Sequence, residues 1–126
     1  MRIADCRPDK VKDSYNVDAV AIAAATAAIG DVDYFRTNIE KIKAQRAELI
    51  EALKDMGFVV AVSETNFILA KCAECSAEEV HAQLANRRIY VRYFNLPGLD
   101  DKLRITVGTK EQNDKLVAAL RDIMRR

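Results

Sequence analysis

The spacing of apolar positions changes several times along the chain, and each change marks an element. From Val17 to about Ile29 the residues are nearly all apolar and mostly alanine. Asn16 or Asp18 stands where it can cap the first amides of a helix, and Gly30 where it can stop one. Asp31 then opens a second helical pattern in which Val32, Phe35, Ile39, Ile42, Leu49, Ile50 and Leu53 recur at roughly helical spacing until Gly57. Its other face, with Arg36, Glu40, Lys43, Arg46, Glu48 and Lys54, reads as solvated charge. After Gly57 the period shortens. Phe58 to Val62 and Phe67 to Lys71 are β-rich runs joined by Ser63-Glu64-Thr65-Asn66, a good hairpin connection. Ser76 with Glu79 is a capping-box signature for a helix carrying Val80 and Leu84 to about Asn86. Strands are predicted at Ile89 to Phe94 and Leu103 to Val107, separated by Pro97-Gly98. Thr109, Glu111 and Gln112 then open a last helix with Leu116, Val117, Leu120, Ile123 and Met124 on its apolar face.

The order α, α, β, β, α, β, β, α predicts an α+β fold. It is a two-layer domain with a small, mostly antiparallel four-stranded sheet packed against helices and preceded by the long amphipathic helix. Residues 1–14 carry mixed charge, a proline and little periodicity, and read as a linker or severed junction; residues 15–126 read as one domain. A chain of 126 residues that is 50% hydrophobic and 31% charged fits one soluble globular domain. Twenty Lys plus Arg against nineteen Asp plus Glu leave a charge of +1, which speaks against a broad nucleic-acid footprint, so any anion binding must be local. The Val17–Ile29 run is short for a membrane span and the amino terminus lacks a secretory pattern, so a cytoplasmic chain without a membrane partner is expected.

Cys72 and Cys75 form a Cys-x-x-Cys, with His81 six residues further on. A structural zinc needs four ligands and a redox pair normally opens a helix, so no metal site is expected and His81 reads as a partly solvated helix residue.

The stretch Tyr90 to Thr109 carries the candidate chemistry. Val91 and Tyr93, and Leu103, Ile105 and Val107, alternate with Arg92 and Arg104, so each arginine points away from an apolar strand face. If the two strands pair antiparallel around the Pro-Gly turn, the two guanidinium forks come together on one anion. The competing reading is that each arginine is solvated or ion-paired, with Asp100 and Asp101 as nearby partners. Tyr90, Tyr93 and Phe94 read as core or domain-contact residues.

Four stretches carry a resemblance, in the same order from about Val11 to the carboxy terminus. They are KDSYNVDAVAIAAATAAI, a long helix ending in LKDMGFVV, SETNFILAK, and RRIYVRYFNLPGLDDKLRITVGTKEQND. Together they resemble the carboxy-terminal small domain of histidinol-phosphate aminotransferases, a family of fold-type I enzymes that use pyridoxal phosphate. The resemblance implies a cytoplasmic homodimer that converts histidinol phosphate and 2-oxoglutarate to imidazole acetol phosphate and glutamate in histidine biosynthesis. By it, Arg104 matches the arginine that holds the anionic end of the substrate, and Arg92 a second substrate-binding arginine. Tyr15 and Asn16 match a motif near the junction with the large domain, and Asn66 a motif bordering the cleft.

In that family the cofactor-bearing lysine, the aspartate at the pyridine nitrogen and the phosphate-binding groups lie upstream, in the large domain. Lys10, Lys12 and Arg2 are out of the family's context. The expectation is that this chain holds no catalytic residue and no cofactor by itself and does not transaminate alone. The missing large domain is then its partner, and apolar residues around Tyr15, Val17 and Phe94 are left exposed. A chain of this length is read as a truncated carboxy-terminal domain or as a free-standing relic. The alternative from another class is a non-catalytic α+β regulatory or interaction domain that binds an amino acid or a protein.

Overall fold

Short polar side chains decide where the helices begin. In the computed structural model, which describes residues 16–125, the Ala21 amide donates to Asp18 Oδ1 at 2.8 Å and opens helix α1, Ala19–Gly30. The Tyr34 amide donates to Asp31 Oδ1 at 3.1 Å and opens helix α2, Val32–Asp55. The expected linker at residues 1–14 lies outside the described residues. By its internal contacts the chain divides after Arg36 into two units. In the first, every described residue is solvent-exposed, Val17 at 67% and Val20 at 78%.

The second unit, Thr37–Arg126, holds the four-stranded antiparallel sheet: β1 Val59–Val60, β2 Phe67–Lys71, β3 Arg92–Tyr93 and β4 Lys102–Thr106. Helix α3, Ala77–Asn86, stands between β2 and β3 in the chain, and α4, Lys110–Met124, follows β4. The sheet order is β1-β2-β4-β3, so β4 is central and pairs with β2 from Phe67↔Thr106 to Lys71↔Lys102. One face of the sheet, through Ile68, Ala70, Leu103 and Ile105, packs into a single core. Leu49 and Leu53 of α2, Ala77, Val80 and Leu84 of α3, and Leu116, Leu120 and Ile123 of α4 complete it. Eight of the largest of these side chains are less than 2% exposed or nearly so, and a fully buried side chain of this size stabilises by about 1.5–3 kcal/mol relative to exposure.

Two strands are shorter than their sequence patterns. The Phe58 amide donates to Leu53 O at 3.1 Å and the ring is buried, so Phe58 closes the end of α2 instead of opening β1. At the other end Val62 is 97% exposed and unpaired in the sheet. Before β3, Arg88 adopts a left-handed φ of 60° and the Ile89 amide returns to Leu84 O at 3.0 Å. The chain is therefore still leaving α3 where alternation alone predicts strand. Pro97-Gly98 makes the expected turn: the Leu99 amide donates to Leu96 O at 2.9 Å and Gly98 takes a φ of 81°, the conformation a type II turn requires at that position.

The β4–α4 connection is tightly built. Thr109 and Gln112 form a reciprocal capping box, with Thr109 N–H donating to Gln112 Oε1 at 2.9 Å. The buried Asn113 carboxamide accepts from Gly108 N–H at 3.0 Å and donates to Gln45 Oε1 at 3.2 Å, tying α4 to α2. Among the described residues no helix is long and apolar enough to cross a membrane.

Candidate functional site

Strand alternation fixes which side chains leave the core. Leu103 and Ile105 point inward at 0% and 1% exposure, so Lys102, Arg104 and Thr106 project from the opposite, open face of the sheet. On the same face β2 presents Phe67, Leu69 and Lys71, and β3 presents Arg92. The register sets Arg92 directly opposite Arg104, as a hairpin around the Pro-Gly turn requires.

Two like charges at opposed positions repel, a destabilising arrangement in a sheet. What surrounds them is aromatic. Arg92 Cζ lies 5.3 Å from the Phe94 ring centroid, and Arg104 Cζ lies 5.3 Å from that of Phe67 and 5.9 Å from that of Phe94. A cation over a ring face is attracted by the ring quadrupole while its in-plane N–H edges stay free.

Of the two acids that the sequence offers as partners, Asp101 is otherwise engaged. Asp101 accepts from Lys102 Nζ and pairs with Lys71 Nζ at 2.9 Å. These hydrogen bonds, that of Lys102 first and then that of Lys71, lower the Asp101 carboxyl to about 2. The same pairing with Asp101 raises the Lys71 ammonium. Neither arginine forms an ion pair with Asp100 or Asp101, so the solvated, ion-paired reading fails on its second half. The open face thus holds two forked cations whose counter-charge is not supplied by the described residues. That is a donor set for an anion with at least two acceptor oxygens, such as a carboxylate or a phosphate.

The other residues singled out in the sequence are placed as follows. Asn66 is exposed at the head of β2, next to Phe67, and its carbonyl accepts the Val107 amide at 2.8 Å. Its loop is held by Arg46, which donates to Thr65 O at 2.8 Å and to Glu64 Oε2 at 2.9 Å. The Arg46 side chain is only 12% exposed, so its reading as solvated charge is corrected. Helical periodicity marks a face without showing what folds onto it. Asn16 is exposed in the first unit, and Tyr15 lies outside the described residues. Phe94, half-buried and just past the end of β3, contributes a ring to the arginines where the sequence reads only core or contact; its position two residues after Arg92 in the predicted strand was the available signal.

Cys72 and Cys75 are free thiols, and burial first and Cys75 second push Cys72 up to about 12, which leaves it a poor nucleophile. His81 packs its ring 5.8 Å from that of Tyr93. Among the described residues no three His, Cys, Asp or Glu gather as metal ligands. Grooves of about 350 Å³ beside Arg88 and Tyr90 and about 750 Å³ beside Lys41 and Lys110 are lined by neither Arg92 nor Arg104.

Comparison with known proteins gives the chain its relatives. The model of the family "Aminotransferase class I and II" matches residues 8–120. Histidinol-phosphate aminotransferase 1 of a Nostoc species is 52% identical over 115 residues, covering 91% of this chain and 33% of that protein. The histidinol-phosphate aminotransferase of Microcystis aeruginosa is 44% identical over 92% of this chain and 33% of its own length. Among solved structures, the histidinol-phosphate aminotransferase of Sinorhizobium meliloti in complex with pyridoxal-5'-phosphate superposes with a TM-score of 0.81 at 28% identity, covering 93% of this chain and 33% of that one. The chain spans about a third of the length of the curated relatives it matches. With a family model running through both the sheet and its helices, the chain belongs to the class I and II aminotransferases.

Proposed function

We propose that this chain is the small, substrate-closing domain of a pyridoxal-phosphate-dependent aminotransferase that exchanges an amino group between histidinol phosphate and 2-oxoglutarate. In this reading Arg104 and Arg92 grip the anionic ends of the substrates, and the complete enzyme is a homodimer. The observation that carries it is the opposed pair of guanidinium groups on the open sheet face, free of Asp100 and Asp101. Both substrates end in carboxylate or phosphate, and a planar fork fixes such a group while the amine is presented elsewhere. The identity shared with proteins named histidinol-phosphate aminotransferase supports the choice of substrate over other amino acids.

The cofactor, when bound, supplies an electron sink for the bonds at the amino carbon. The described residues do not fit its attachment. Imine formation needs an amine free of a counter-ion and sheltered from water, whereas Lys43, Lys54, Lys71, Lys102, Lys110 and Lys115 stand in ion pairs with carboxylates and Lys41 is exposed on α2. The chain's own contribution is to bind and orient the anion, and the lysine-bearing part of the enzyme acts as its partner.

The test is growth of a histidine-requiring bacterium lacking this aminotransferase. The chain coexpressed with the lysine-bearing remainder of a relative is expected to restore growth, and the chain alone is not. The Arg92→Ala/Arg104→Ala double variant should fail with the same partner while accumulating to the same level. Rescue by the chain alone, or undiminished rescue by the double variant, overturns the proposal.

A further inference from the structure

We propose that Phe94 is a positioning residue of this anion site, its ring holding the two guanidinium groups so that their donor edges converge on one phosphate. The inference rests on the anion-gripping reading of Arg92 and Arg104 and adds to it how two cations stay aligned when no anion is present. Opposed strand positions put side chains about 4.5–5.5 Å apart at Cβ, so the guanidinium groups repel and would swing apart into solvent. The register forces this proximity, since Arg92 pairs directly with Arg104.

Phe94 has both arginines at its ring, Arg92 at 5.3 Å and Arg104 at 5.9 Å, whereas Phe67 meets only Arg104. A ring beneath a guanidinium takes its face and leaves the in-plane N–H groups outward, the edge a phosphate or carboxylate engages bidentately. One ring shared by two cations therefore sets their planes relative to each other. Phe94 is half-buried beside an exposed Arg92 and an exposed Arg104, so the ring is anchored while the donors face water. Because the ring bears no charge, it exerts this control without competing for the anion.

The experiment titrates inorganic phosphate into the intact chain and follows the arginine Nε–H signals by NMR. Phe94→Leu keeps apolar bulk and removes the ring face; Phe94→Tyr keeps the face. Phe94→Leu is expected to weaken phosphate binding about fivefold, the factor for an exposed cation–π contribution near 1 kcal/mol. It should also move the Nε–H signals of both arginines toward solvent values. Phe94→Tyr should bind within about twofold of wild type, and all variants should melt alike, which separates positioning from a loss of fold. Phe67→Leu should move the Arg104 signal and leave that of Arg92. Unchanged phosphate affinity in Phe94→Leu, with Arg104→Ala impaired, overturns the role of Phe94 and leaves the anion reading standing. Wild-type chain that binds phosphate no better than Arg104→Ala overturns the anion reading and this inference with it.

Discussion

Replacing Gly108 by alanine tests whether the β4–α4 connection is as closely packed as the structure has it. A Cβ at Gly108 would stand 2.7 Å from Gln112 Oε1, 2.9 Å from Gln112 Cβ and 3.3 Å from Asn113 Oδ1. The first contact is escapable, because the Gln112 amide can swing away, but doing so breaks its bond to the Thr109 amide. The second is not, since a Cβ moves only with its backbone, and the first turn of α4 must shift. That shift strains the Thr109 cap and the bonds between Gly108 and the buried Asn113 carboxamide. A lost cap costs about 1 kcal/mol and each lost internal hydrogen bond about 1 kcal/mol, for a total of about 2–4 kcal/mol. Where alanine can adopt the native backbone without strain, a Gly→Ala change stabilises by about 0.4–1 kcal/mol through the unfolded chain, so here the sign itself is informative. Thermal and urea unfolding followed by circular dichroism should show a midpoint lowered by on the order of 10 °C. Gln112→Ala, which removes only the reciprocal arm of the box, should cost less than half as much. A Gly108→Ala chain as stable as wild type would refute the close-packing argument.

Two further outcomes follow from the ion pairs. Asp101 has its folded pKa lowered to about 2 from an ordinary 3.8, so its contribution is present above about pH 4 and is lost as pH falls toward 2. Lys71, raised by the same contact, keeps its contribution below 10.5 and loses it as pH rises through its folded value. Melting temperature of wild type should fall more steeply than that of Asp101→Asn between pH 4 and 2, and parallel curves would contradict the assignment. Arg46→Ala should cost about 1–2 kcal/mol, through lost stem packing and the bond to Thr65 O, because the exposed Glu64 adds little as an ion partner. Amide hydrogen exchange should quicken at residues 63–66 in that variant, and unchanged protection there would show that Arg46 does not hold the loop.

The motif LRITVGTKEQND illustrates what a sequence can disclose. It is the most specific stretch of the resemblance, yet most of it serves the fold: Leu103 and Ile105 are core, Gly108 makes room for Gln112, Thr109 and Gln112 cap α4, and Asn113 ties α4 to α2. Arg104 is the charged residue of the β4 part of this run that turns to the open face, beside Thr106. Alternation predicted that direction correctly, because a strand has a period of two regardless of its neighbours.

Helix starts, the Pro-Gly turn and the α+β order were legible in the same way, since capping, φ restriction and periodicity act within a few residues. Tertiary structure alone decided the placement of β4 between β2 and β3, which depends on pairing between distant segments. It also shortened β1 and β3, where the ends of α2 and α3 claim Phe58 and Ile89 first. Most consequential is the allocation of charge. In the sequence Asp101 stands three residues from Arg104 and thirty from Lys71, but the β2–β4 register brings Lys71 to Lys102 and both to Asp101. Ion pairs form by distance in space, and that choice leaves Arg92 and Arg104 opposite each other, with the Phe94 ring beside both and neither paired to Asp100 or Asp101.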